Sequence, residues 1–284
     1  MGLTWFSFSV FATLLLGVAM ALYKLPSAKK QNRFVATFWS LAVPAGLALV
    51  FFHSYISLST PAMLWTALLW GVTFTCIALL QMYALSHVDT NVLFPITTTT
   101  SLVITVLVGI FFFSEHITVV QTLGIILAVI TIFLFLYKGG KLQYSPLLIG
   151  VGSGIVFISA FNKVLQKIVA GKFDIHAFQI YQYLFAAIFS LILYLIIHRR
   201  DWKKHIFSGG LGIGSLIGVF SFFGGYSLYI ALTKGPFPLI TSIHSLYIFV
   251  TALTAYFLFQ EELSKKKMIL LFLAIFAVIL IRIG

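Results

Sequence analysis

Residues 117–137 read ITVVQTLGIILAVITIFLFLY, a stretch of 21 residues without a charged side chain. A helix of roughly 20 apolar residues is long enough to cross the hydrocarbon core of a bilayer. Nine similar stretches fill most of the remaining chain, in which only 8% of all residues are charged and 61% are hydrophobic. A soluble domain carries about a quarter charged residues. The sequence therefore predicts an all-α, polytopic membrane protein.

The ten apolar stretches predict ten transmembrane helices. They lack the two-residue alternation of a membrane β-strand and are about twice as long as one. The predicted spans are residues 3–23, 34–56, 62–84, 92–113, 117–137, 146–170, 175–198, 207–232, 238–260 and 265–283.

The net charge of +12 comes from lysines and arginines at the ends of the apolar stretches. Basic residues at these positions meet lipid phosphates and set orientation, so we expect membrane lipids and no nucleic acid as partners. Most of them follow odd-numbered stretches, which predicts that both termini lie outside the cell. The only cysteine, Cys76, lies inside an apolar stretch. It allows no intrachain disulfide and no cysteine-based metal site, and we expect no metal and no cofactor.

The second half of the sequence repeats features of the first half. The matching features are Gly71 and Gly218, Ala84-Leu85 and Ala231-Leu232, Phe94-Pro95-Ile96 and Phe237-Pro238-Leu239, and Ser101-Leu102 and Ser245-Leu246. They divide the chain into two repeats of five spans, residues 1–140 and 141–284. A unit with an odd number of spans ends on the opposite side of the membrane, so its copy is inserted upside down. Inverted repeats are a recurring transporter architecture with the substrate site near the midplane.

Glutamates close the fourth and ninth spans, in Glu115-His116-Ile117-Thr118 and Glu261-Glu262-Leu263-Ser264. This pattern resembles the EamA domain of the drug/metabolite transporter superfamily. Lys24 and Lys163, near the ends of the first and sixth spans, also fit the family pattern. The resemblance covers the whole chain as two copies and implies a transporter, not an enzyme, with both termini in the cytoplasm. On the position of the termini, the resemblance conflicts with the charge distribution, which predicts that they lie outside the cell.

The chain departs from the family pattern in one respect. The proline usual about thirteen residues before each glutamate is replaced by Leu102 and Ile248. If these two spans bend, the bend would therefore come from Pro95 and Pro238, nearer their starts.

Polar side chains inside the spans predict a cavity, because they are costly in hydrocarbon. Several lie on one helix face at steps of three or four residues. Alternatively, serine and threonine bond back to carbonyls of their own helix. The candidate substrate-binding residues are Thr97, Ser101, Thr105, Asn162, Gln179, Gln182, Thr241, His244, Ser245 and Thr251.

A second set of residues suggests structural or gating roles. The side chains of Lys24 and Lys163 either extend to the membrane interface or face the cavity and favour anionic substrates. The glutamates are expected to cap the helices that follow them. Glycines at steps of four predict a close helix contact, either static or sliding. The set comprises Lys24, Lys163, Glu115, Glu261, Gly210, Gly214 and Gly218.

The leading functional hypothesis is a secondary carrier, with export as the expected direction, in a bacterial cytoplasmic membrane. All six acidic residues lie at span ends or in loops, which disfavours exchange of cationic drugs against protons. We expect a small organic substrate that is neutral, zwitterionic or anionic. The alternatives are a carrier or flippase for larger amphiphiles such as lipid-linked or sugar-containing molecules, a membrane enzyme, and a membrane protein without transport activity.

Overall fold

The computed structural model describes residues 3–87, 90–135, 146–198, 206–207, 210–259 and 264–283, and this part of the chain is helical without strands. The helices in chain order are α1 (Leu3–Leu22), α2 (Leu25–Ala28), α3 (Arg33–Phe52), α4 (Pro61–Ala84), α5 (Thr90–Phe111), α6 (Val119–Phe135), α7 (Pro146–Lys172), α8 (Ile175–Ile197), α9 (Gly210–Lys234), α10 (Phe237–Ser245), α11 (Tyr247–Phe259) and α12 (Lys265–Ile283). A 3₁₀-helix, His53–Leu58, continues α3. The all-α prediction is confirmed for the described residues.

Polar side chains fix where several helices begin. The side-chain oxygen of Asn32 accepts a hydrogen bond from the backbone N–H of Phe34 at 2.9 Å and caps α3. Asp174 caps α8 by accepting bonds from two backbone N–H groups at its start. Thr60 caps α4, which then begins with Pro61, a residue suited to the first helical position because it needs no N–H partner there. The helices overlap every predicted apolar stretch and begin or end within a few residues of its limits.

The interruption of the ninth predicted span does not lie at a proline. Helix α5 runs through Pro95 without interruption, and Pro238 lies in the first turn of α10. The interruption falls at Leu246, between α10 and α11, where no proline is present. Proline at the first turn of a helix is compatible with helical geometry, so Pro238 starts a helix rather than bending one.

The helices form an integral membrane protein. Seven helices in the described part are long and apolar enough to cross a membrane, and three shorter apolar helices lie at residues 96–111, 119–134 and 268–283. Large apolar side chains cover the outer surface; Phe111, for example, is 80% exposed and Phe257 is 77% exposed. Such a surface is suited to lipid, because a soluble protein rarely exposes wide apolar patches.

Helices from the two halves of the sequence pair in opposite directions. The rings of Phe52 and His176 lie 5.0 Å apart at one end of the α3–α8 pair. The rings of Phe34 and His198 lie 5.8 Å apart at its other end, so these two helices are antiparallel. Helices α5 and α10–α11 also run in opposite directions, since Gly109 lies against Pro238 whereas Thr98 bonds to Tyr247.

Glycines allow the closest helix contacts between the two halves. A Cβ atom on Gly214 of α9 would lie 2.5 Å from the carbonyl oxygen of Ala36 in α3, and Gly210 and Gly218 contact the same helix. On the other side of the molecule, a Cβ atom on Gly71 of α4 would lie 2.8 Å from the backbone nitrogen of Ala186 in α8. In both contacts, a helix of one half of the sequence packs closely against a helix of the other half.

Candidate functional site

A cavity of about 130 Å³ lies between helices from both halves of the sequence. Its walls come from α1, α4 and α5 on one side and from α7 to α11 on the other. Its polar lining consists of Gln81, Thr97, Thr98, Ser101, Ser159, Asn162, Lys163, Gln166, Tyr183, Ser221, His244 and Tyr247. Its apolar lining consists of Leu16, Met20, Trp70, Phe74, Ile77, Gly225 and Leu228.

Helix α7 contributes a polar face to the cavity. Ser159, Asn162, Lys163 and Gln166 recur at steps of three or four and all line the cavity. Asn162 is buried, and its Oδ1 lies 2.6 Å from the hydroxyl of Thr73, which donates to it. The Nδ2 group of the same amide has no hydrogen-bond partner. This face therefore presents unused donors to any molecule that occupies the cavity.

Helices α5 and α10 contribute hydroxyl groups and a histidine. The hydroxyl of Thr97 bonds back to the carbonyl of Leu93 at 2.9 Å, whereas the hydroxyl of Ser101 has no partner. His244, nine-tenths buried, has its ring 5.4 Å from that of Tyr247 and an unpartnered Nδ1. Buried polar groups in proteins are nearly always bonded, so unpartnered ones beside a cavity suggest a ligand or water as the missing partner.

The remaining candidate substrate-binding residues lie outside this cavity. Four of them, Thr105, Thr241, Ser245 and Thr251, bond to carbonyls of their own helices. Gln182 accepts a bond of 2.8 Å from the hydroxyl of Tyr229 in α9. Gln179 is fully buried in α8, and neither end of its amide has a partner.

The interruption between α10 and α11 lies beside the cavity and is supported by α1. The backbone N–H of Leu246 bonds to the carbonyl of Ile243 at 3.1 Å, which replaces the usual helical partner four residues back. The hydroxyl of Thr13 in α1 lies 3.3 Å from the same carbonyl. Thr251 donates a bond of 2.9 Å to the carbonyl of Gly17. Side chains from neighbouring helices commonly satisfy backbone groups freed at such a break.

An ion-pair cluster joins α7, the segment after α5 and the start of α10. The Glu115 carboxylate lies 2.8 Å from the ammonium of Lys167. Its other oxygen accepts a bond of 2.6 Å from the backbone N–H of Phe237. Lys167 also donates to the carbonyl of Gly235 at 3.3 Å. Glu115 therefore caps α10 from the other half of the sequence, not the following helix α6 as expected.

The other gating candidates occupy different surroundings. Lys163 lies well inside α7 and lines the cavity, whereas Lys24 lies just beyond the end of α1. Glu261 lies outside the described residues. The glycine series of α9 packs against α3, as noted above.

Several lining residues were not identified from the sequence. Trp70 and Phe74 of α4 stack with ring centroids 4.4 Å apart and form an apolar wall. Tyr247 bonds to Thr98 at 2.8 Å across the cavity. Gln81 had a usable signal, since it is an amide inside an apolar stretch. Aromatic residues in an aromatic-rich membrane helix give no comparable signal.

Comparison with known proteins gives a family match. Residues 147–283, just under half of the chain, match the EamA-like transporter family. This segment of the protein belongs to that family. EamA-family proteins are transporters of the drug/metabolite type, and the α7 lining residues and His244 lie within the matched segment. A comparison with curated proteins gave no match.

Solved structures share the fold of the protein. One crystal structure is 14% identical in sequence, covers 95% of each chain and superimposes with a TM-score of 0.72. Because the sequence identity is so low, the similarity establishes a common fold over nearly the whole chain and carries no information on the substrate.

Proposed function

We propose that the protein is a secondary carrier that moves a small organic metabolite across the bacterial cytoplasmic membrane by alternating access. The single observation that carries this proposal is the cavity between helices of both halves, which has polar residues in its lining and unpartnered groups on Ser101, Asn162 and His244. A neutral, zwitterionic or anionic metabolite suits such a lining. Export is the proposed direction.

In this proposal, residues 1–140 and 141–284 are inverted five-helix repeats. Its support is that α3 and α8, and likewise α5 and α10–α11, are antiparallel pairs of equivalent helices. The glycine contacts add support, because Gly71 against α8 repeats the contact of Gly218 against α3. The seven long helices together with the three shorter apolar ones match the ten proposed crossings.

The Glu115 cluster is the proposed gate on one side of the cavity. Lys167 follows Lys163 by one helical turn, about 6 Å along the α7 axis. The cluster ties α7 to the start of α10, and the His244 side chain of α10 lines the cavity. Release of this cluster would allow the two helices to separate. The size of the cavity, about 130 Å³, favours a small metabolite over the lipid-linked substrates of a flippase.

Purified protein in liposomes, screened against pools of metabolites with and without a pH gradient, tests the proposal. Uptake or release of at least one small metabolite is expected. Replacing Thr97, Ser101 and His244 together with alanine should abolish it. Thr131→Ala with Ser227→Ala is the control, because both hydroxyls bond only to their own helices. Chemical conversion of a metabolite without translocation would contradict the carrier and favour an enzyme.

A further inference from the structure

Among the described residues, the cavity lining carries a positive charge and no negative charge. Lys163 brings an ammonium group, and no carboxylate lines the cavity in the described part of the chain. Of the two described acidic residues, Glu115 is engaged by Lys167 and Asp174 caps α8. No ion pair or hydrogen bond joins Lys163 to any described residue. A charge removed from water is costly unless it is paired, so this ammonium favours an anionic ligand.

Two polar groups in the same lining have unused hydrogen-bond donors. Thr73 occupies the oxygen of the Asn162 amide, which leaves the two N–H groups of Nδ2 without acceptors. The hydroxyl of Ser101 is also unpartnered and can donate. A carboxylate offers two oxygens that only accept, and charge-assisted bonds of this type are the stronger ones. The ammonium group of a zwitterion would add a second positive charge near Lys163, and no carboxylate of the described lining offsets it.

The opposite wall and the size of the cavity limit the rest of the ligand. Trp70 and Phe74 form a stacked aromatic surface, and Ile77 lies one turn beyond Phe74. In another protein, an engineered apolar cavity of about 150 Å³ accommodates benzene. A cavity of about 130 Å³ therefore suits an anion with a body of roughly this size. One ammonium balances one negative charge, which favours a carboxylate over a phosphate monoester.

We propose that the transported substrate is a small monocarboxylate whose carboxylate binds Lys163 and accepts bonds from Asn162 and Ser101. The apolar body of the substrate packs against Trp70 and Phe74. This substrate class rests on the proposed carrier function, since it assigns the ligand of the same cavity.

A matched series of ligands tests this proposal on the wild-type protein in nanodiscs. Benzoate, benzamide and benzylamine have nearly the same shape and carry a negative, zero and positive charge. Calorimetric titration should show saturable benzoate binding, with benzamide and benzylamine about tenfold weaker or more, because a hydrogen bond to a charged group is lost. Equal binding of the three, or no benzoate binding at millimolar concentrations, overturns the proposal. Tighter binding of phenyl phosphate than of benzoate overturns the choice of a carboxylate.

Variants of Lys163 test whether the carboxylate of the ligand binds at this residue. Lys163→Met should weaken benzoate binding about tenfold or more, whereas Lys163→Arg, which keeps the charge, should retain part of it. Lys172→Met is the control, because Lys172 lies at the exposed end of the same helix. Unchanged benzoate binding by Lys163→Met contradicts the assignment. If Lys163→Met does not fold, the series of benzoate, benzamide and benzylamine on the wild-type protein still tests whether the cavity prefers an anion.

A separate experiment distinguishes the two proposals. Benzoate binding that depends on Lys163 in a protein that moves no metabolite into or out of liposomes contradicts the carrier and leaves the anion site standing. Transport of neutral metabolites by a protein that does not bind benzoate supports the carrier and overturns the anion site.

Discussion

Helix α5 and the pair α10–α11 are equivalent in the proposed repeat, yet only the second is broken. Ser101-Leu102 matches Ser245-Leu246 in the sequence, and α5 passes through Leu102 as a regular helix while the chain leaves helical geometry at Leu246. The same Ser-Leu dipeptide therefore adopts a different backbone conformation in each half. Local sequence alone does not decide where the helix breaks.

Neighbouring helices account for the difference. Helix α1 brings the hydroxyl of Thr13 to the carbonyl of Ile243 at the break. In the alignment that matches Lys24 with Lys163, the equivalent of Thr13 in α7 is Gly152, which has no side chain to donate a bond. The Ile243 carbonyl already accepts from the backbone N–H of Leu246, so the Thr13 hydroxyl, which also bonds to Ser9 of its own helix at 2.7 Å, adds a second contact at the break. This additional contact is present in one half only.

The largest expected effect concerns the contact that joins α5 to α10. Glu115→Ala leaves Lys167 without its carboxylate and the first N–H of α10 without its acceptor. We expect the free energy of unfolding to fall by about 2–3 kcal/mol, because a charged, partly buried partner is lost. Denaturant titration in detergent measures this change.

Asp174→Ala is the matched control for Glu115→Ala. Asp174 also caps a helix, but the helix is its own. Loss of a local cap costs about 1 kcal/mol. A cost for Glu115→Ala no greater than that for Asp174→Ala would show that Glu115 does not join the two halves.

Two glycines of the second half, one in α9 and one in α7, test the close contact with α3 of the first half. Gly214→Ala should lower the free energy of unfolding by about 1–3 kcal/mol, because its Cβ would meet the backbone of α3. Gly150→Ala in α7 meets nothing within 4 Å and should leave stability unchanged or raise it by up to about 1 kcal/mol. Thermal unfolding of the two variants side by side measures the difference. Equal effects would contradict the close contact between α9 and α3.

Part of the fold and part of the candidate site could be predicted from the sequence. Apolar length located the helices, because a bilayer imposes the same length on every crossing. The step of four residues between Thr97 and Ser101 predicted a polar helix face, and both residues line the cavity. Trp70 could not be recognised among many aromatic residues. The break at Leu246 and the partner of Glu115 depend on contacts between distant segments, which no local pattern encodes.

The smallest expected effect tests the support of the break. Thr13→Val keeps the shape of the side chain and removes the hydroxyl near the carbonyl of Ile243. We expect a loss of about 1 kcal/mol in the free energy of unfolding. Thr131→Val, whose hydroxyl bonds only to Leu127 of its own helix, should cost less. If the two variants are equally stable, the hydroxyl of Thr13 does not hold the break.

Labelling of single cysteines from one side of the membrane tests the inverted arrangement of the two halves. Lys29, between α1 and α3, and Lys172, the last residue of α7, are exposed and lie at equivalent ends of the proposed repeat. With Cys76 replaced by serine, Lys29→Cys and Lys172→Cys should react from opposite faces. A membrane-impermeant maleimide added to intact cells should therefore label one and spare the other. Labelling of both from the same face would contradict an inverted repeat and, with it, the carrier built on that repeat.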